Sequence, residues 1–250
     1  MKNSSIMNFV SSKADYSNLP ELLPLMHSCD GYHCESVIEN GILDTTECPV
    51  FHEKLLYFFY GKSSYPVSEN VDGTRTDTIY CPVCFILDTA KIDIYRIFPF
   101  DSGGFQAGLY ESFIHRHMKI ESFEINNSIS DIKAYISAVF HNNMNYLIGE
   151  SMYTTDENDT CLNSLFKMLS ANGSFKIDER ANTIEIISNK PVSIKDAVKG
   201  VVLPENLLRK KQIADFISRN NIRHYTYTIR NLTAPSRYNE VVYQLAKNFL

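Results

Sequence analysis

Residues 22–41 read Leu-Leu-Pro-Leu-Met-His-Ser-Cys-Asp-Gly-Tyr-His-Cys-Glu-Ser-Val-Ile-Glu-Asn-Gly. The apolar run from Leu22 to Met26 fits a strand that enters a buried sheet, and Asp30-Gly31 supplies the turn that ends it. From Cys34 the chain reads as a short helix with Val37 and Ile38 on its buried face, closed by Asn40-Gly41 in the manner of a glycine C-cap. The order is strand, loop, helix, stop. His27 sits at the strand end with apolar residues before it, which is where a sheet delivers a reactive side chain.

Two later segments share this design. Leu56-Tyr57-Phe58 lies in the aromatic run Leu55–Tyr60, too short for a stable helix and rich in strand formers. Ile184-Glu185-Ile186 lies in Thr183–Ile187, which also favours a strand. Each places one polar residue among apolar neighbours. Singly, a strand histidine is most often a hydrogen-bonded core group and a strand tyrosine most often packing. Their succession along one chain is what points to a site.

The remaining organisation fits one domain spanning 1–250, with 1–20 as a loosely structured lead-in. Strands are expected at Ile79–Leu87, Ile92–Phe98, Gly200–Pro204 and Arg223–Tyr227. Helices are expected between Ile129 and Leu169, from about Asn206 to Ile217, and from Ser236 onward. The acidic stretch Thr154–Thr160 separates the middle helices, and 68–77 reads as a polar surface loop. Phe98-Pro-Phe-Asp-Ser-Gly-Gly-Phe105 packs three aromatics around a glycine turn. It is either an aromatic corner or a turn whose backbone amides hold an anionic ligand group.

Bulk properties narrow the classes. In 250 residues, 44% are hydrophobic and 21% charged, the values of a folded chain. The net charge of −5 disfavours a protein held mainly by nucleic-acid phosphates, and the cluster Leu207–Lys211 reads as a solvated helix face. The N-terminus lacks the apolar core of a signal peptide, and no stretch approaches the length of a membrane span. A cytoplasmic protein without membrane contact is expected. Its six cysteines, Cys29, Cys34, Cys48, Cys81, Cys84 and Cys161, are read as free thiols. Cys81-Pro-Val-Cys84 has metal-ligand spacing, but it lies in a strand-like apolar run where cysteine acts as a small hydrophobe, so no metal is expected.

The first segment resembles the opening motif of the ADP-ribosyltransferase superfamily, in its histidine-tyrosine-glutamate branch, where a strand ends in His, a small residue follows, and a short helix closes with Gly fourteen residues later. Here these are His27, Ser28 and Gly41. Tyr57-Phe58, Lys62-Ser63 and Tyr65 resemble the Tyr-Phe strand, Lys-Ser pair and second tyrosine of the same branch. Ile184-Glu185 followed by Lys190-Pro-Val192 and the Val198–Pro204 run resembles the glutamate segment of bacterial toxins that ADP-ribosylate DNA. Tyr238-Asn-Glu240 offers a rival glutamate, but Val241, Val242, Leu245, Ala246 and Phe249 fall at helical spacing and no strand follows.

The resemblance implies an α+β fold of split, twisted β-sheets flanked by helices, with NAD as co-substrate. It implies catalytic roles for Glu185, His27 and Tyr57 and cofactor contacts from His27, Ser28, Tyr57, Lys62, Ser63 and Tyr65. The expected activity is transfer of ADP-ribose to a macromolecular acceptor, protein or nucleic acid, in the manner of a bacterial toxin or antiviral effector. Arg180 and the 68–77 loop are candidates for choosing that acceptor. Two alternatives accompany it: a catalytically silent module that binds ADP-ribose or a related nucleotide, and an RNA 2′-phosphotransferase, which the acidic net charge opposes.

Overall fold

The computed structural model describes residues 4–64, 77–171 and 179–250. The chain forms two compact units, each assembled from non-contiguous stretches. One comprises 1–22, 47–53 and 94–188; the other comprises 23–46, 54–93 and 189–250. Both mix helices with strands, the α+β composition expected from the sequence.

In the second unit, five strands pair in the order Arg223–Tyr227, Val198–Pro204, Pro82–Leu87, Leu25–Asp30, Lys54–Tyr60. The first pair is parallel and the others antiparallel. All six residues of Pro82–Leu87 are buried, as befits a central strand covered on both faces. This confirms Cys81 and Cys84 as core residues beside Met26, Ile86 and Val202. The helix Asn239–Ala246 closes one face of this core with Val242 and Ala246. Glu240 lies in that helix and accepts a hydrogen bond from the Gln244 amide, so it is a helix-surface residue as its spacing indicated.

The opening segment folds as read, with shifted boundaries. The strand runs Leu25–Asp30 and the helix Gly31–Asn40. The Asp30 side chain accepts from the His33 amide and starts the helix, while Gly41 takes a left-handed φ of 74° that ends it. Gly31 is required by a close approach, because a Cβ there would lie 2.4 Å from the Thr78 carbonyl oxygen.

In the first unit, the helices Ser5–Lys13, Ile129–Phe140 and Thr160–Leu169 pack together. The lead-in expected to be loose is thus a helix that buries Ile6, Met7 and Val10 and is capped by Ser4. Its short apolar face gains stability from neighbours remote in sequence, which local patterning does not register. The strands Arg96–Phe98 and Glu185–Ser188 pair antiparallel, with Phe98 opposite Glu185. The strand expected over Ile92–Phe98 therefore starts only at Arg96. A 3₁₀ turn, Thr89–Lys91, occupies the chain before it.

Candidate functional site

The strands Leu25–Asp30 and Lys54–Tyr60 bring His27 and Tyr57 together. Their ladder pairs Leu25 with Tyr60 and Met26 with Phe59. One position further along, His27 Nδ1 lies 2.9 Å from the Tyr57 carbonyl oxygen. A carbonyl only accepts, so Nδ1 carries the hydrogen and Nε2 keeps its lone pair. Burial lowers the pKa of His27, more than the bond to Tyr57 raises it, so the ring is neutral at pH 7. The ring also meets the buried Phe58 edge-on, at 5.9 Å between centroids.

His27, Ser28 and Tyr57 line a cleft of about 810 Å³ within this unit. The helix Gly31–Asn40 and the segment after it supply His33, Ser36, Val37, Asn40, Ile42, Leu43, Asp44 and Thr46 to the wall of the cleft, and the strand Lys54–Tyr60 adds Leu55. This volume suits a nucleotide-sized ligand, and the wall offers it both polar groups and apolar surface. The wall residues beyond His27, Ser28 and Tyr57 were not anticipated. Asn40 and Ser36 repeat at i and i+4 on the helix, a spacing visible in the sequence.

Lys62 and Ser63 follow the strand directly after Gly61, at 2% and 4% exposure, and are not among the residues that line this cleft. Tyr65 and most of the 68–77 loop lie outside the described residues.

Glu185 belongs to the first unit and is 1% exposed. Its Oε2 accepts from the Ser102 backbone N–H at 3.2 Å. Burial raises its pKa well above the ordinary glutamate value, and the Asp101 charge pushes the same way. Asp101 in turn accepts from the Gly103 and Gly104 amides and pairs with Arg180 at 3.1 Å. Two expectations change here. The amides of the glycine turn serve protein carboxylates, leaving the aromatic corner as the correct account: Phe100 packs against Phe105, Tyr110 and Phe123. Arg180, one candidate for choosing an acceptor, is a half-buried partner of Asp101. The signal for Asp101 was present, since Asp-Ser-Gly-Gly is an N-cap pattern.

The cysteines are free. Burial pushes Cys34 and Cys84 up to about 12 and Cys81 to about 11, which keeps them as thiols. Among the described residues no cluster of three His, Cys, Asp or Glu side chains could hold a metal ion. No described helix is long and apolar enough to cross a membrane.

No known protein family matches the sequence, and no curated protein matches it. Among solved structures, the chain is similar to Thermus sp. 2.9 DarT in complex with NAD+ at 7% identity, over 84% of this chain and 98% of that one, with a TM-score of 0.41. It is also similar to Thermus sp. 2.9 DarT in complex with carba-NAD+ at 9% identity, over 85% and 97% of the two chains, with a TM-score of 0.39.

Proposed function

We propose that this chain binds NAD through the His27–Tyr57 cleft and transfers its ADP-ribose to a macromolecular acceptor, protein or nucleic acid. The observation that carries the reading is the neutral His27 ring, tied at Nδ1 to the Tyr57 carbonyl in the wall of a nucleotide-sized cleft. Its Nε2 is an acceptor for a ribose hydroxyl. Ser28 offers a backbone and a small hydroxyl to a carboxamide, and Tyr57 an aromatic face to the cationic nicotinamide ring.

The chemistry asked of the protein is modest. Nicotinamide departs as a neutral group, the ribose passes through an oxocarbenium-like state, and a carboxylate stabilises the developing positive charge. The sequence context of Glu185 assigns that role to it. It would stabilise the sugar cation and could accept the proton released by the acceptor nucleophile as the new bond forms.

A second reading has a specific observation on its side. Glu185 is buried and its carboxyl accepts from the Ser102 backbone N–H, as a purely structural carboxyl would. The chain would then hold NAD or ADP-ribose without turning it over. Incubating the protein with NAD labelled in its adenylate phosphate and a cell lysate separates the two. Label on protein or nucleic acid, lost in Glu185→Gln, supports transfer; NAD binding with no transfer and no nicotinamide release supports the silent reading; no binding at all removes both.

A further inference from the structure

Asp30 and His33 stand three residues apart where the strand Leu25–Asp30 passes into the helix Gly31–Asn40. One carboxylate oxygen of Asp30 serves both the backbone and the ring of His33: Oδ1 accepts the His33 backbone N–H at 2.8 Å and lies 2.7 Å from Nδ1. A carboxylate only accepts, so Nδ1 carries a hydrogen and the ring is tied to the start of the helix. Tyr32 meets that ring edge-on, at 5.6 Å between centroids. The nitrogen left for a ligand is Nε2. His33 lines the same cleft as His27 and Tyr57 with its side chain 68% exposed, so the ring is within reach of whatever enters.

A dinucleotide brings two phosphate charges into such a cleft, and an anion that leaves water needs a charged or hydrogen-bonding partner. Among the described residues that line the cleft, His27 and His33 are the ones whose side chains can become positive. Burial lowers the pKa of His27, and a positive charge on His33 pushes it the same way. The cation therefore belongs on His33, where the Asp30 carboxylate faces the ring with the opposite charge. The other charged groups around this helix have partners of their own. Glu35 is paired with Lys210, at the start of the helix Lys211–Arg219, and Asp77, beside the turn Thr78–Tyr80, accepts the Ile79 amide. Asp44 also lines the cleft, and its carboxylate adds to the repulsion that an entering phosphate has to overcome.

We propose that His33, oriented by Asp30, is the residue that meets the pyrophosphate of NAD, donating from a charged imidazole to a phosphate oxygen, so that binding takes up a proton. The inference rests on the reading that this cleft holds NAD, and adds to it the group that carries the anionic centre of the ligand. Linkage fixes the sign. A phosphate beside the ring favours the charged form, so affinity is complete at low pH and is lost as pH rises through the imidazole range. Protonation of His27 would act the other way, since it removes the Nε2 acceptor offered to the ribose. The His33 side chain touches solvent, so added salt should shrink the effect.

The test is calorimetric titration of NAD into the full chain at about pH 6 and about pH 8, the range in which imidazole titrates, repeated in buffers of different ionisation enthalpy. NAD should bind about fivefold more tightly at the lower pH, with net proton uptake read from the buffer dependence of the heat. His33→Gln, which keeps a hydrogen-bonding side chain without the charge, should flatten the pH dependence and abolish the uptake. Asp30→Asn keeps a capping oxygen and should weaken binding at the lower pH. Equal affinity of the wild type at the two pH values, or binding without proton uptake, overturns the proposal whether or not the variants fold, and so does a pH dependence retained in a folded His33→Gln. A folded Asp30→Asn with the wild-type profile overturns the part given to Asp30. No NAD binding at either pH removes the cleft reading itself, whereas binding that ignores pH removes only the role of His33, so the two failures are distinct.

Discussion

His27 and Tyr57 are joined by a hydrogen bond from an imidazole Nδ1–H to a main-chain carbonyl, 2.9 Å long, between two antiparallel strands. An ordinary histidine is half protonated near pH 6.5. Burial lowers the His27 value, so its ring should remain neutral at that pH and keep the hydrogen on Nδ1. Nitrogen-15 spectra of the imidazole at about pH 6.5 should show the Nδ1–H tautomer. A ring that is half charged at that pH contradicts the tautomer assignment and the acceptor role of Nε2.

The raised pKa of Glu185 has a thermodynamic consequence of definite sign. Its folded pKa is raised above the ordinary value of about 4.3, so the unfolded chain gives up the proton first as pH rises. The stability from this group is complete below about 4.3 and is lost as pH climbs toward the folded value. Glu185→Gln, which keeps the shape and removes the titration, should therefore melt higher than wild type near neutral pH, by about 2–4 °C for each kcal/mol gained. The gap should narrow as the pH falls. A Glu185→Gln variant that melts lower than wild type at neutral pH contradicts the raised pKa.

Tyr135 is fully buried in the helix Ile129–Phe140, and its hydroxyl has no hydrogen-bond partner among the described residues. A buried polar group left unsatisfied costs about 1–3 kcal/mol. Tyr135→Phe should recover about 1 kcal/mol of that in a denaturant titration at unchanged slope. A loss of stability would mean that the hydroxyl is satisfied after all.

Gly200 sits in the central part of the sheet because Phe249 needs its space. A Cβ there would lie 2.1 Å from the Phe249 ring. Gly200→Ala should destabilise the chain by about 1–3 kcal/mol, and Phe249→Leu in the same chain should restore part of the loss. Equal costs with and without the ring change would contradict this pairing.

Much of the second unit was legible in its sequence because its signals are local. The Asp30-Gly31 turn, the Gly41 cap and the aromatic run around Tyr57 carry their information within a few residues, and Arg223–Tyr227 is a strand with the bounds its composition indicated. The helix Ser5–Lys13 was not legible, because its burial depends on contacts with helices more than a hundred residues away. The same holds for the surroundings of Glu185, where Arg180 pairs with Asp101. Asp101 and Arg180 lie 84 and 5 residues from Glu185, and only the strand register between Phe98 and Glu185 reveals why the first of them matters. The cleft wall was half legible: His27, Ser28 and Tyr57 carry the motif, whereas Asp44 and Thr46 enter from the chain after the helix, where no periodicity places them.

The central claim is that the His27–Tyr57 cleft holds NAD, and calorimetric titration of NAD into the full chain and into His27→Ala tests it most directly. The account predicts saturable one-to-one binding to the wild type and at least about tenfold weaker binding to His27→Ala, a loss of about 1.4 kcal/mol, with both proteins melting cooperatively. Equal affinity in the two proteins, or no heat from the wild type, would contradict it.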